Sequence, residues 1–189
     1  MKKILSLIVL GLIITSNAMA YEETGYETIK SNKVYEIRKY SDRLAIETAT
    51  SNQNSGFRKL FNYISGNNET NEKIKMTTPV TQMEKKGNMT MQFYLPSKFN
   101  KDNAPNPSRP DVEIVNIEGG YYAVIRYSGR SSDKNFIKHK EVLENELKKD
   151  NISILNPAIK ATYNGPFTLP MFRRNEVMFE VNIKNKGEI

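Results

Sequence analysis

The sequence predicts an α+β fold: a duplicated β-hairpin–helix–strand unit whose strands join into one distorted antiparallel β-barrel or sheet flanked by two α-helices. Three observations predict it. Near the C-terminus, Gly165-Pro166 and Pro170 punctuate an extended connection that ends in Arg173-Arg174, and Val177, Phe179 and Val181 then alternate with Met178 and Glu180 as one buried strand face. An earlier copy of this arrangement runs from Met76 through Pro79 to the strand containing Phe93. The spacing of matched residues is nearly constant: Pro79 to Pro166 is 87 positions and Phe93 to Phe179 is 86. One unit therefore occurs twice, over about residues 34–95 and 112–183, within a single domain spanning 21–189.

Each element follows from its local pattern. Residues 21–32 are polar and are expected to fray. Val34 to Tyr40 reads as a strand, Ser41-Asp42-Arg43 as a turn, and Leu44 to Thr50 as a second strand completing a hairpin. After the cap-rich stretch Ser51–Ser55, Phe57, Leu60, Phe61 and Ile64 recur at i, i+3, i+4 and i+7, one apolar helix stripe. Gly66-Asn67-Asn68 stops that helix. An extended segment from Ile74 to Met83, a turn at Lys85–Asn88 and a strand from Met89 to Leu95 complete the first unit. Pro96, Pro105, Pro107 and Pro110 mark a surface crossover. The second unit repeats the order: strand Val112–Ile117, turn at Gly119-Gly120, strand Tyr121–Tyr127, helix Phe136–Lys149 and the closing strand Val177–Ile183. Phe57, Leu60, Phe61, Phe93, Phe136, Leu143, Leu147 and Phe179 are expected to share a single core.

The first twenty residues stand apart. Lys2-Lys3 precedes an apolar run from Ile4 to Ile14, and Ala18-Met19-Ala20 has the small-x-small pattern of a signal-peptidase site. The run is short for a bilayer span, so the protein is expected to be exported, periplasmic or secreted, with no transmembrane segment after cleavage. The chain has no cysteine, which removes both a lipid-anchored N-terminus and a disulfide framework. Of 189 residues, 28 are basic and 21 acidic, and setting aside Lys2 and Lys3 leaves a net charge of +5. The excess is scattered rather than gathered in a basic stripe with interleaved aromatics, so no nucleic-acid partner is expected.

Enzymatic chemistry finds little support. His139 is the one histidine, so no multi-imidazole metal site exists, and no nucleophile elbow or phosphate-binding glycine loop is present. A binding role fits better. His139 lies on the shoulder of the second helix stripe, either packed there or facing a cleft as a metal ligand. Met76, Met83, Met89, Met91, Met171 and Met178 gather around the two proline-bearing segments, either as core filler or as an adaptable wall for a flat apolar ligand. Arg173 and Arg174 are either a strand-end pair or a clamp for carboxylates. The same cleft would also suit an interaction module that takes a peptide or lipid.

Several segments occur in the order seen in the SOUL haem-binding protein family: Val34–Thr50, Gly56-Phe57-Arg58-Lys59-Leu60, Ile74-Lys75-Met76-Thr77-Thr78-Pro79-Val80, Phe93-Tyr94-Leu95-Pro96, Ala123–Gly129 and Arg173-Arg174-Asn175-Glu176-Val177. The resemblance covers roughly Tyr26 to Ile183. It implies a duplicated unit forming a distorted antiparallel barrel with two helices. At fold level the chain is also similar to effector-binding domains of some bacterial regulators. The family resemblance further implies non-covalent haem or tetrapyrrole binding in a surface cleft beside the first helix, with Arg58 as the helix-one arginine and Phe57 and Phe61 as apolar wall. Met76, His139, Arg173 and Arg174 complete the candidate set, His139 as the candidate iron ligand. In some members the axial histidine lies in the hairpin region, where this chain has none.

Overall fold

The computed structural model describes residues 21–183; the expected signal sequence lies outside the described residues. The elements are β1 (Glu22–Glu23), β2 (Glu27–Ser31), β3 (Glu36–Tyr40), β4 (Arg43–Thr50), α1 (Gln53–Ile64), β5 (Thr77–Thr78), β6 (Val80–Lys85) and β7 (Asn88–Tyr94). They continue with β8 (Glu113–Ile117), β9 (Gly120–Tyr127), α2 (Asp133–Lys149), β10 (Ser153–Ile154), β11 (Ile159–Thr162), a 3-10 turn at Pro170–Phe172 and β12 (Asn175–Asn182). Ten strands form one sheet in the order β2-β3-β9-β12-β11-β6-β7-β4-β8, with β10 also paired to β12. Every pairing within that sheet is antiparallel. The α+β class, the antiparallel sheet and its two helices thus stand. The strand order runs from β2 to β8 without closing, so the assembly is a sheet rather than a closed barrel.

The expected hairpins pair differently. β3 pairs with β9, and β4 pairs with β8, so each adjacent strand couple is split across the two halves. The connections explain this. A two-residue hairpin turn needs a positive φ, yet neither Ser41-Asp42 nor Glu118-Gly119 contains one. Each connection is a corner instead, and the corners nest. A Cβ on Gly119 would sit 2.7 Å from the Tyr40 carbonyl oxygen, and the Gly119 N–H donates to the Asp42 carboxylate at 2.8 Å. By contrast, β6 and β7 do form a hairpin, through Lys86 (φ 53°) and Gly87 (φ 78°), both in the left-handed region. Residues 21–32 do not fray as expected: β2 pairs with β3 as an exposed edge, and β1 pairs with β5 in parallel.

Both helices begin on side-chain caps, Asn52 for α1 and Ser132 for α2, which satisfy otherwise unpartnered N–H groups. α1 stops where Gly66 takes φ +110°, and α2 where Asn151 takes φ 54°. The register places both helices on one face of the sheet, here called the outer face. α1 covers Ile46, Met91 and Phe93, while α2 covers Ala123, Ile125, Val177 and Phe179. The core is therefore not single. One apolar cluster lies beneath each helix, and a third, with Tyr40, Tyr122, Val124 and Met178, lies on the inner face.

Leu60, Phe93, Leu143, Leu147 and Phe179 are buried as expected, and Phe136 is partly buried against the α2 cluster. Phe57 and Phe61 are not core residues: they are 40% and 47% exposed. Gly56 is the reason. It lets α1 settle against Thr50, where a Cβ would meet the Thr50 methyl at 2.9 Å. Tyr63 joins Leu60 and Ile64 in the buried stripe, which rotates Phe57 and Phe61 outward.

Candidate ligand-binding site

The outer face carries the aromatic surface of the site. Phe57 and Phe61, one turn apart on α1, stack with centroids 5.8 Å apart and planes 15° apart. Phe57 also meets Phe93 edge-on at 5.2 Å, which fixes the pair to β7. Arg58 is exposed next to them and belongs to none of the ion pairs of the described residues. Met76 is partly buried against the apolar cluster beneath α1.

Between the helices run β6 and β11. Gln82 pairs with Lys160 across them, and both share the face of Met91 and Val177. Both are buried, at 5% exposure each. Lys160 Nζ lies 3.0 Å from an Asp133 carboxylate oxygen, whereas the buried Gln82 Nε2 finds no hydrogen-bond partner. Sequence reasoning missed both residues. The alternation of β6 holds the signal for Gln82, but nothing local says that another strand completes its surroundings.

His139 is elsewhere. Its ring stacks on Tyr127 of β9 at 4.0 Å and 9°, and its Nδ1 lies 2.7 Å from the Asn135 carbonyl oxygen. A carbonyl only accepts, so Nδ1 carries the hydrogen. β9 lies four strand steps from β7, about 19 Å along the sheet at the usual strand spacing. His139 therefore does not join Phe57, Arg58 and Phe61 in one site.

The two C-terminal arginines have separate tasks. Arg173 donates from Nε to the Thr168 carbonyl at 2.8 Å and from a terminal nitrogen to the Pro166 carbonyl, clasping the loop that precedes it. Arg174 faces inward. It pairs with Glu176 at 2.9 Å and with Glu23 at 2.7 Å, and its guanidinium lies 3.7 Å from the Tyr163 ring centre. Glu176 is fully buried and also binds Arg38 at 2.9 Å and the Tyr163 hydroxyl at 2.7 Å. Burial alone would pull the Arg38 pKa down, but the Glu176 carboxylate outweighs it and raises it. Burial first, then Glu176, pushes the Tyr163 phenol strongly up. The charged groups of this inner-face network are paired with one another. Arg43 extends it, with its guanidinium 4.4, 4.9 and 5.5 Å from the rings of Tyr40, Tyr94 and Tyr122.

A concavity of about 690 Å³ lies beside that network, between residues 22–27, the corner at Lys39–Leu44 and the end of β7. Its lining includes Glu22, Glu23, Glu27 and Asp42 against Lys39 and Arg43. Neither Phe57 nor Phe61 lines it.

Comparison with known proteins adds to this geometry. The family model described as SOUL heme-binding protein matches residues 21–180. Heme-binding protein 2 of Mus musculus is 32% identical over 171 residues, covering 80% of this chain and 82% of that protein. Its Homo sapiens counterpart is 32% identical over 158 residues, covering 76% of each. Among solved structures, the EcmrR C-terminal domain matches with a TM-score of 0.56 at 12% identity, over 83% of this chain and 98% of that one. A hydrolase from Listeria innocua matches with a TM-score of 0.58 at 9% identity, over 82% and 94%. At such low identity these two share the fold alone.

Proposed function

Because the chain belongs to the SOUL heme-binding protein family, we propose that it binds haem or a related tetrapyrrole non-covalently on the outer face, against Phe57 and Phe61. The observation that carries this reading is the exposed, stacked aromatic pair with Arg58 beside it. Two aligned phenyl rings offer a flat apolar ledge to a macrocycle, and burial of both surfaces supplies the driving force. Arg58 is placed to pair with a ligand carboxylate. The unpartnered Gln82 amide adds a donor between the helices.

The residues fit an apolar-face design better than axial ligation. His139 lies across the sheet and its ring is pinned by Tyr127 and Asn135. Arg173 and Arg174 already hold protein oxygens, so they act as scaffold rather than as the carboxylate clamp. The 690 Å³ concavity is a poorer place for a ligand bearing carboxylates, because four acidic residues line it.

The reading includes a non-enzymatic role and export. The first is supported by the absence of cysteine, the single histidine and the engagement of Glu176 by two arginines. Export rests on the basic, apolar and small-residue order of residues 1–20. Mass spectrometry of protein recovered outside the cytoplasm is expected to find Tyr21 at its N-terminus; an intact Met1 would contradict that part.

Titration with hemin and with metal-free protoporphyrin tests the binding reading. Both are expected to bind saturably and stoichiometrically, since the rings rather than the metal are recognised. Failure of every tetrapyrrole to bind at micromolar concentration would overturn it.

A further inference from the structure

The connection from β11 to β12 holds the most exposed apolar side chains among the described residues: Phe167 at 97%, Met171 and Phe172 at 70% each, and Leu169 at 57%. Four such residues within six positions form a contiguous patch, a feature that marks interaction surfaces. The backbone beneath them is braced. Arg173 clasps the Thr168 and Pro166 carbonyls, Gly129 N–H donates to the Pro170 carbonyl at 2.8 Å, and Arg174 N–H donates to Asn164 at 2.6 Å. The 3-10 turn at Pro170–Phe172 closes on Leu169. Main-chain polar groups thus turn inward while the apolar side chains turn out.

Charge around this loop is mostly positive. Residues 126–132 and 160–175, which lie at the loop end of β9, β11 and β12, contain no Asp or Glu but include Arg126, Arg130, Lys160, Arg173 and Arg174. The carboxylates in contact with these cations, Glu23, Glu176 and Asp133, are paired with Arg174 and Lys160. A concavity of about 520 Å³ lies between the loop and the residues that lead into α2, lined by Arg130 on one side and by Phe167, Leu169 and Arg173 of the loop on the other.

We propose that this loop docks the protein on an anionic phospholipid bilayer, with Phe167, Leu169, Met171 and Phe172 entering the interface and Arg130 meeting the lipid phosphates. Aromatic and aliphatic side chains beside cations are the combination such an interface receives. A projecting wedge needs no complementary groove in a bilayer. A symmetric pairing of two copies through this loop would instead bring like-charged ends together. The proposal does not depend on tetrapyrrole binding.

The chain has no tryptophan, so Phe172→Trp in the full chain creates a single local reporter that ignores the apolar run at residues 4–14. Its emission is expected to move to the blue and saturate on adding vesicles of phosphatidylglycerol and phosphatidylcholine in a one-to-two ratio. Vesicles of phosphatidylcholine alone should give a much weaker response, and Arg130→Glu should diminish the response to the mixed vesicles. Met89→Trp, at the far end of the β6–β7 hairpin, should give no shift. No shift at Phe172→Trp, an equal shift at Met89→Trp, or an equal response to neutral vesicles would overturn the proposal. So would a lipid-independent shift that grows with protein concentration, which would assign the loop to a second copy.

Discussion

The two faces of the sheet use charged and aromatic residues in opposite ways. On the inner face, Arg38, Glu176, Arg174 and Glu23 are linked in ion pairs, and Tyr163 and Arg43 fill the spaces between charges and rings. Among the buried side-chain nitrogens of the described residues there, Arg43 Nε alone lacks an internal partner. On the outer face, Phe57 and Phe61 show two-fifths or more of their surface, and Arg58 is exposed without an ion pair among the described residues. Internally satisfied charges hold a fold together; exposed aromatics and cations remain available to a ligand. The comparison therefore assigns stability to the inner face and binding to the outer one.

The largest expected effect breaks the inner face. Glu176→Gln removes the carboxylate shared by the buried Arg38 and the partly buried Arg174, which keep only the more exposed Glu36 and Glu23, and loss of one partner of a buried ion pair costs about 3–5 kcal/mol. Urea denaturation is expected to show a midpoint lowered accordingly. A loss under about 1 kcal/mol, the size typical of exposed pairs, would mean that the network is solvated and that the contrast between faces is wrong.

Next comes a pH effect on the buried tyrosines. Burial pushes the phenols of Tyr40, Tyr63 and Tyr127 up to about 12. In the unfolded chain a tyrosine ionises near 10. Their contribution is therefore complete below pH 10 and is lost as pH rises from about 10 through 12. Stability measured against pH should fall across that window together with the growth of tyrosinate absorbance. Ionisation centred at pH 10 with no loss of structure would contradict their burial.

The smallest expected effect is on ligand affinity at His139. His139→Ala should change hemin affinity by less than about threefold, or roughly 0.65 kcal/mol. It should still lower stability modestly, because the stack on Tyr127 is lost. A hundredfold weaker affinity with loss of a six-coordinate spectrum would place the iron on α2 after all.

Much of the fold was legible in the sequence, and the missing parts share a cause. Both helices and the repeated order were readable because their signals lie within one or two turns: the Leu60/Ile64 stripe, the Asn52 and Ser132 caps and the Gly66 stop. The exchange of β3 and β4 between halves was not. A hairpin and a corner present the same alternation, and only φ at the two linking residues separates them. The Arg38–Glu176 pair spans 138 positions, so periodicity carries no trace of it. His139 shows a subtler limit. Offset by the 79 positions that separate Phe57 from Phe136, it occupies the place that Leu60 holds in α1. Leu60 is fully buried and His139 partly so, which makes packing its natural role. Phe57 and Phe61 belonged to a plausible core stripe until Gly56 and Tyr63 rotated the helix.

The double substitution Phe57→Ala/Phe61→Ala tests the division of labour most directly, when hemin affinity and thermal stability are measured on the same preparation. The rings are 40% and 47% exposed, so folding should lose well under the roughly 3–5 kcal/mol per ring that truncating a core phenylalanine costs. Hemin affinity should fall at least tenfold, about 1.4 kcal/mol or more. Unchanged hemin affinity would remove the outer aromatic pair as the binding surface, and a collapse of stability would return both rings to the core.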